Sequence, residues 1–274
     1  MLTRIITGIV AICLFIPVCY FSYTLVFPIV ISLLCCVGVY EMAKCLGFDK
    51  KLFITIPMYL IALGLPILRY FTGTNSPFLA CALVAFFGML IYVLAYVMLK
   101  KNTVKLSEIL TFYAMFVYIV GCFSSMVVIR YSGGGKYYYL LAFLGAWVCD
   151  TFAYFVGKFF GKHKLIPEIS PKKTIEGSIG GIVFTVIGFA VYGLMVNNIF
   201  EDANLNYVKL CILGLVLSIV SQIGDLVASS VKRQYDIKDY GSIFPGHGGV
   251  LDRFDSVMLT APTLYILNIV LKFF

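Results

Sequence analysis

This chain has few charged residues, since only 12% of its 274 residues are Asp, Glu, Lys or Arg. A soluble domain typically carries about a quarter charged residues. The hydrophobic fraction of 61% also excludes a disordered chain, which needs low hydrophobicity and high net charge. No charged side chain lies between Arg4 and Glu41 or between Arg69 and Lys100. Because a bilayer core needs about 20 apolar residues per helical crossing, the sequence predicts an integral membrane protein.

The apolar runs predict an all-α polytopic membrane protein with about nine transmembrane helices. The first run follows Arg4 but has no convincing small-residue cleavage site, so we expect a retained helix rather than a signal peptide. The nine cysteines lie mostly in apolar runs and form no CxxC pair, so we expect small hydrophobic residues rather than metal ligands. The expected spans are residues 5–20, 23–42, 52–70, 78–99, 109–129, 138–157, 177–198, 208–230 and 252–272.

Basic residues are distributed unevenly between the two predicted sides of the membrane. With the N-terminus inside, the inner segments contain 16 lysines and arginines and the outer segments contain five. The inner set includes Lys100 and Lys101, and the outer set includes Lys272. The positive-inside rule therefore places the N-terminus and two polar loops, residues 158–176 and 232–251, in the cytoplasm.

Acidic residues and histidines are concentrated in the second half of the chain. Ten of the 13 acidic residues and both histidines lie at or beyond Asp150. We therefore expect residues 1–137 to form a scaffold of helices and residues 138–274 to form a catalytic region. Asp150 and Asp225 lie in apolar spans, where an ionised group costs at least about 2.5–3.5 kcal/mol. A functional role is the default interpretation for both, and a structural ion pair inside the bundle is the alternative.

Two further carboxylates, Asp252 and Asp255, lie three residues apart where the last span begins. On a helix this spacing places both on one face. Together with Asp225 they would make an anionic, oxygen-rich site of the kind that Mg²⁺ prefers, usually together with substrate phosphates. Simple helix capping is the alternative for this pair. No CxxC or HExxH spacing supports zinc.

The loop before these carboxylates reads FPGHGG, residues 244–249. Its glycines would let the backbone approach a ligand, and His247 could donate a hydrogen bond to phosphate or act as an acid or base. A plain loop with an incidental histidine is the alternative. Two segments before this loop contain basic residues that could bind a polyphosphate. Membrane topology and helix C-termini also favour basic residues at such positions. The residues are Lys232, Arg233, Lys238, Lys162, His163, Lys164, Lys172 and Lys173.

Nucleotide-binding motifs of soluble proteins are missing. The chain has no GxxxxGK[ST] sequence. Gly177, Gly180 and Gly181 follow no predicted strand, so a dinucleotide-binding fingerprint is not supported. We expect these three glycines to let helices pack closely.

The string from Ser229 to Asp255, SSVKRQYDIKDYGSIFPGHGGVLDRFD, closely resembles the signature of phosphatidate cytidylyltransferases, the CDP-diacylglycerol synthases. The segment from Asp150 through SPKKTIEGSIGG also looks like this family, so the resemblance covers about the last 125 residues. The signature positions are Ser229, Lys232, Arg233, Lys238, Asp239, Pro245, His247, Gly248, Gly249, Asp252, Arg253 and Asp255.

The resemblance implies that CTP and phosphatidic acid react, with Mg²⁺, to give CDP-diacylglycerol and pyrophosphate. It implies that Asp225 and Asp252 hold the metal with Asp255 nearby, and it leaves the number of metal ions open. We expect Asp225, Asp252, Lys232 and His247 to be catalytic. The residues expected to bind substrate are Arg233, Lys238, Lys172, Lys173, Gly248, Gly249 and Arg253.

Two other functions stay open at this point. An ion-coupled transporter is one, because Asp150 and Asp225 can mark an ion path, although no inverted repeat is visible. Another lipid phosphotransferase, such as a polyprenol or dolichol kinase, is the other. We expect CTP, phosphatidic acid and membrane lipids as partners and no nucleic acid, and closely packed helices make a homodimer plausible. The short chain suggests a bacterial inner or plasma membrane, with the active site on the cytoplasmic side.

Overall fold

The computed structural model describes residues 2–73, 75–99, 104–200 and 205–271, without the side chains of residues 2–5, 75 and 271. Within these ranges it contains nine α-helices and one two-stranded antiparallel sheet. The strands β1 (Lys164–Ile166) and β2 (Ser170–Thr174) lie between α6 and α7. The helices are α1 (Leu2–Tyr20), α2 (Val26–Cys45), α3 (Leu52–Thr72), α4 (Asn75–Leu99), α5 (Leu106–Arg130), α6 (Gly135–Phe160), α7 (Ile175–Ile199), α8 (Tyr207–Gln234) and α9 (Leu251–Leu271).

Seven helices of the described part, α2 to α8, are long and apolar enough to cross a membrane. Helix α1 has 19 residues, and the side chains of its first four are outside the described part. Helix α9 has three charged residues among its first five. The polytopic, helical character of the prediction is therefore confirmed. The predicted orientation rests on a count of basic residues, some of which lie outside the described part. These are Lys100, Lys101, Lys272 and the side chain of Arg4.

The chain forms two compact units whose boundary falls inside α9. Unit 1 comprises Met1–Ser132 and Ile237–Arg253, and unit 2 comprises Gly133–Asp236 and Phe254–Phe274. The functional division into residues 1–137 and 138–274 stays a prediction.

Unit 1 has a core of aliphatic and aromatic side chains contributed mainly by α2, α3 and α5. Phe112 and Phe116 of α5 are fully buried, and Phe112 stacks on Phe48 with ring centroids 4.8 Å apart. Burial of large apolar side chains against each other holds these helices in fixed positions. They position the polar end of α2, which contributes to the site described below.

Unit 2 depends on close contact between α6 and α7. A Cβ atom at Gly177 would lie 2.6 Å from the carbonyl oxygen of Ala153, and one at Gly181 would lie 2.9 Å from that of Cys149. At Gly180 it would collide with the side chain of Val156. Glycine is therefore required for the two helix backbones to come this close, which confirms the packing role predicted for these glycines.

The predicted loop 158–176 is more regular than expected. Helix α6 continues to Phe160, and β1 and β2 form a short hairpin that leads directly into α7. Glu176, in the first turn of α7, accepts hydrogen bonds from the backbone N–H groups of Lys162 and His163 at 3.1 and 3.2 Å. Local hydrogen bonds of this kind, which a hydropathy pattern does not reveal, give the segment its defined shape.

The predicted loop 232–251 also begins later than expected. Lys232 and Arg233 belong to the last turn of α8, which ends at Gln234. Basic side chains interact favourably with the C-terminal carbonyl groups of a helix, so the helix continues beyond its apolar part. The irregular segment is therefore confined to residues 235–250.

Candidate active site

The predicted site residues fall into two clusters, one in each unit. We call the cluster of unit 2 the carboxylate cluster, which consists of Asp150, Lys173, Asp225 and Asp255. We call the residues from 240 to 252 in unit 1 the glycine loop.

The carboxylate cluster is built around an ion pair. Lys173 at the end of β2 places its Nζ atom 2.6 Å from Oδ2 of Asp225 on α8, and about a quarter of each side chain is exposed. Ser229, one turn further along α8, donates a hydrogen bond to Oδ1 of Asp225 at 3.3 Å. The alternative considered for Asp225, an ion pair, is therefore observed, and its partner is a lysine that was predicted to bind substrate.

Asp150 and Asp255 are connected through Ser256. The Ser256 hydroxyl donates to Oδ2 of Asp150 at 2.9 Å, and its backbone N–H donates to Oδ1 of Asp255 at 2.8 Å. Asp255 also lies close enough to Asp225 and Lys232 for their charges to interact. Several carboxylates at short range repel one another unless cations offset their charge.

A glycine allows α8 and α9 to approach at this point. A Cβ atom at Gly224 would lie 2.7 Å from the carbonyl oxygen of Asp255, closer than real Cβ contacts come. Gly224 directly precedes Asp225 in α8. The close approach of the two backbones therefore brings the two carboxylate-bearing positions next to each other.

The donor atoms of this cluster suit a hard cation. Mg²⁺ prefers oxygen ligands and usually takes one or two carboxylates together with substrate phosphates and water. Asp225 and Asp255 provide such carboxylates. In the described residues no group of three or more His, Cys, Asp or Glu side chains is arranged to hold a metal by itself. The metal assignments of Asp225, Asp252 and Asp255 therefore stay predictions.

The glycine loop is held by the carboxylate of Asp252, which is 7% exposed. Its Oδ2 atom accepts hydrogen bonds from the backbone N–H groups of Tyr240 at 2.7 Å and Gly249 at 3.0 Å. Gly249 lies just before α9, so the second bond ties the backbone at the start of the helix to a side chain of its first turn. The capping alternative is thus observed for Asp252.

The FPGHGG segment forms a tight turn inside the loop. Phe244 donates its backbone N–H to the Gly248 carbonyl at 2.9 Å, and His247 donates its own to the Phe244 carbonyl at 2.8 Å. Gly246 and Gly248 have φ angles of +78° and +87°, which favour glycine. The imidazole of His247 is half-buried, and its Nδ1 atom has no hydrogen-bond partner among the described residues.

The other predicted substrate-binding side chains are on the surface of their units. Arg233, Lys238, Lys172 and Arg253 are exposed. Lys232, which was predicted to be catalytic, is half-buried. Exposed cations can contact anionic ligands, and their roles stay predictions.

Glu41 is the residue that the sequence reasoning missed. It lies on α2, is 2% exposed, and accepts the backbone N–H groups of Val250 and Leu251, each at 2.9 Å. Chemistry was assigned to the second half of the chain, so this carboxylate was not considered. Its position inside the otherwise uncharged predicted span 23–42 was an available signal, because ionisable residues within spans are functional candidates by default.

The chain is similar to known proteins over nearly its whole length. The model of the cytidylyltransferase family matches residues 2–271. A phosphatidate cytidylyltransferase of Staphylococcus saprophyticus is 37% identical, covering 98% of this chain and 99% of the relative. A phosphatidate cytidylyltransferase of Staphylococcus aureus strain COL is 38% identical, again covering 98% of this chain and 99% of the relative. One of Bacillus subtilis is 43% identical over 67% of this chain and 66% of the relative. The chain therefore belongs to the cytidylyltransferase family.

Proposed function

We propose that this chain is a phosphatidate cytidylyltransferase, which transfers the cytidylyl group of CTP to phosphatidic acid and releases pyrophosphate. The observation that carries the proposal is the carboxylate cluster with its lysine, in a chain similar over nearly its whole length to relatives of that name. The filled signature from Ser229 to Asp255 supports the same reaction.

The reaction joins two anions. An oxygen of the lipid phosphate attacks the α-phosphorus of CTP, a new P–O bond forms, and the bond from the α-phosphorus to the bridging oxygen breaks as pyrophosphate leaves. The lipid phosphate is already largely ionised at neutral pH, so no general base is required. Catalysis then consists mainly of positioning the two phosphates and offsetting their charge.

The residues of unit 2 are suited to that work. Lys173 pairs with Asp225, and Lys232 is near enough to Asp255 for their charges to interact. A polyphosphate that binds here with its cation would therefore contact both positive and negative groups. Asp225 and Asp255 would hold Mg²⁺, which would supply positive charge to the phosphate oxygens when bound. Ser229 keeps Asp225 oriented through its hydrogen bond.

The glycine loop of unit 1 supplies backbone and imidazole groups. Its glycines leave room for a phosphate to approach the backbone, and His247 has a ring nitrogen with no described partner. We assign Lys238, His247, Gly248 and Gly249 to phosphate recognition and Asp252 to the metal, as the resemblance implies. In the structure Asp252 also holds the loop together.

The proposal includes a setting in the membrane. We propose nine crossings with a cytoplasmic N-terminus, which the excess of lysine and arginine in the inner segments supports. The active site would then face the cytoplasm of a bacterial cell, where CTP is available. The homodimer stays a prediction.

The test is a direct assay of the purified protein. Detergent-solubilised protein is incubated with labelled CTP, phosphatidic acid and Mg²⁺, and CDP-diacylglycerol and pyrophosphate are measured. We expect product that disappears on chelation with EDTA. We also expect that Asp225→Asn and Asp252→Asn lower turnover by about 1,000-fold or more, while each variant remains inserted and melts near the wild-type temperature.

Glu108→Gln is the matched control, because Glu108 is an exposed carboxylate on α5 outside both clusters. Full activity in Asp225→Asn would contradict the assignment of the carboxylate cluster. No product from CTP, with phosphate transfer to a polyprenol instead, would contradict the proposed function. Cation-driven uptake into proteoliposomes without CTP turnover would do the same.

A further inference from the structure

The residue that precedes α9 has no side chain that could cap the helix. The first N–H groups of a helix have no intrahelical acceptor, and a neighbouring Ser, Thr, Asp or Asn side chain usually accepts one of them. Here the residue before α9 is Val250, which has no polar side-chain atom. The acceptors come instead from Glu41, whose Oε1 atom binds the N–H of Val250 and whose Oε2 atom binds that of Leu251.

The chain around this contact is packed tightly against the Glu41 side chain. A Cβ atom at Gly241 or at Gly249 would overlap the Glu41 carboxylate, so both positions need glycine for the loop to close around it. The Thr7 hydroxyl of α1 also donates to the Pro245 carbonyl at 3.0 Å. Glu41 of α2 and Thr7 of α1 thus hold the glycine loop at three backbone groups. These are the carbonyl of Pro245 and the N–H groups of Val250 and Leu251.

Glu41 and Asp252 act on the same short segment. Asp252 binds the N–H groups of Tyr240 and Gly249, and Glu41 binds the next two N–H groups in the chain, those of Val250 and Leu251. Three consecutive N–H groups are therefore directed at two carboxylates. The segment between His247 and Asp252 has little freedom to move while both carboxylates are in place.

We propose that Glu41 is a positioning residue for the reaction: it fixes the glycine loop and the start of α9, and so places His247 and Asp252. This inference rests on the proposed function. Glu41 acts through the backbone N–H groups of Val250 and Leu251 rather than by touching substrate. A misplacement of about 1 Å in a catalytic group can cost about 100-fold in rate, so loss of this carboxylate affects CTP turnover strongly.

Kinetics of three variants test the proposal. Glu41→Ala removes both acceptors, Glu41→Gln keeps one carbonyl oxygen, and Glu108→Gln is the exposed control. We expect kcat/KM for CTP to fall about 100-fold in Glu41→Ala and about tenfold in Glu41→Gln. The KM for phosphatidic acid is expected to stay within about twofold of wild type, because this proposal places the phosphates of CTP, rather than the lipid phosphate, at the glycine loop.

Hydrogen–deuterium exchange gives a readout that does not depend on activity. We expect the backbone amides of residues 240–252 to exchange faster in Glu41→Ala, with unchanged exchange in α5 and α6. Faster exchange throughout unit 1, or equal losses for both substrates that follow a lower melting temperature, would show that Glu41 only stabilises the fold. Wild-type kcat/KM for CTP in Glu41→Ala would also overturn the inference.

The two proposals fail in distinguishable ways. If the wild-type protein makes no CDP-diacylglycerol, the proposed function is wrong, and the exchange experiment still reports whether Glu41 fixes the loop. If the wild type is active and the exchange of residues 240–252 does not respond to Glu41→Ala, the positioning role alone is wrong.

Discussion

Lys172 and Lys173 are adjacent residues of β2 in different environments. Lys173 is three-quarters buried and forms the ion pair with Asp225, whereas Lys172 is exposed. We expect Lys173→Met to lower kcat/KM by about 100-fold or more, since it removes a cation from the carboxylate cluster and leaves Asp225 without its partner. Lys172→Met is expected to raise the KM for CTP by severalfold at most. Steady-state kinetics at constant ionic strength measure both.

Lys105→Met is the control for this pair, because Lys105 is 81% exposed and pairs only weakly with Glu108 at 4.0 Å. Equal losses in the Lys172 and Lys173 variants would mean that the lysines act by general charge alone. In that case the contact between Lys173 and Asp225 has no special role.

The sequence made these side chains candidates for the site, but it did not reveal which groups they contact. Asp225 and Lys173 were both candidates because of their types and their place in the resemblance. That they pair with each other depends on how β2 packs against α8, which one sequence does not reveal. The partners of Glu41 could not be read either, since they are backbone N–H groups far along the chain.

At the level of elements, Gly224 controls the distance between α8 and α9 in unit 2. We expect Gly224→Ala to separate the helices, because its Cβ atom would lie 2.7 Å from the Asp255 carbonyl oxygen. Asp225 and Asp255 would then move apart. The expected result is a fall in kcat/KM of about 100-fold and a rise in the Mg²⁺ concentration needed for half-maximal activity.

Gly188→Ala on α7 provides a matched control, since its nearest neighbour, the Val148 side chain, would be at an ordinary 3.6 Å. Its melting temperature and activity are expected to stay near those of wild type. An unchanged Mg²⁺ dependence in Gly224→Ala would argue against a joint role of the two carboxylates.

The helices themselves were largely predictable, because apolar runs of bilayer length are a strong signal. Their polar ends were not. Lys232 and Arg233 extend α8, and residues 164–174 form a hairpin; both depend on helix-end electrostatics and local hydrogen bonds rather than on hydropathy. The turn at Gly246 and Gly248 was anticipated only as a glycine-rich loop whose backbone could approach a ligand.

For the whole molecule, the orientation in the membrane determines which side the polar segments face. We expect Lys238→Cys to react with a membrane-impermeant maleimide only after cells are opened, and Gly133→Cys, in the predicted outer segment between α5 and α6, to react in intact cells. The physical reason is the excess of basic residues in the predicted inner segments. Labelling is compared with the unsubstituted protein, whose nine native cysteines set the background. The reverse pattern would invert the topology.

Hydropathy does not predict which segments of the chain form unit 1. Residues 237–253 belong with the first 132 residues rather than with the helices that flank them in sequence. The contacts of Glu41 and Thr7 with this segment explain the grouping, and they involve polar groups that carry no periodic pattern.

The contact between Glu41 and α9 also has a consequence for biogenesis. The N–H donors of Val250 and Leu251 lie 209 and 210 residues after Glu41. At a synthesis rate of about 5–20 residues per second, they are made about 10–40 s after the carboxylate itself. During that interval Glu41 must remain hydrated or protonated while later helices insert. The glycine loop therefore reaches its final shape only after translation has passed the start of α9, and a nascent chain stalled earlier would hold a carboxylate whose partners do not yet exist.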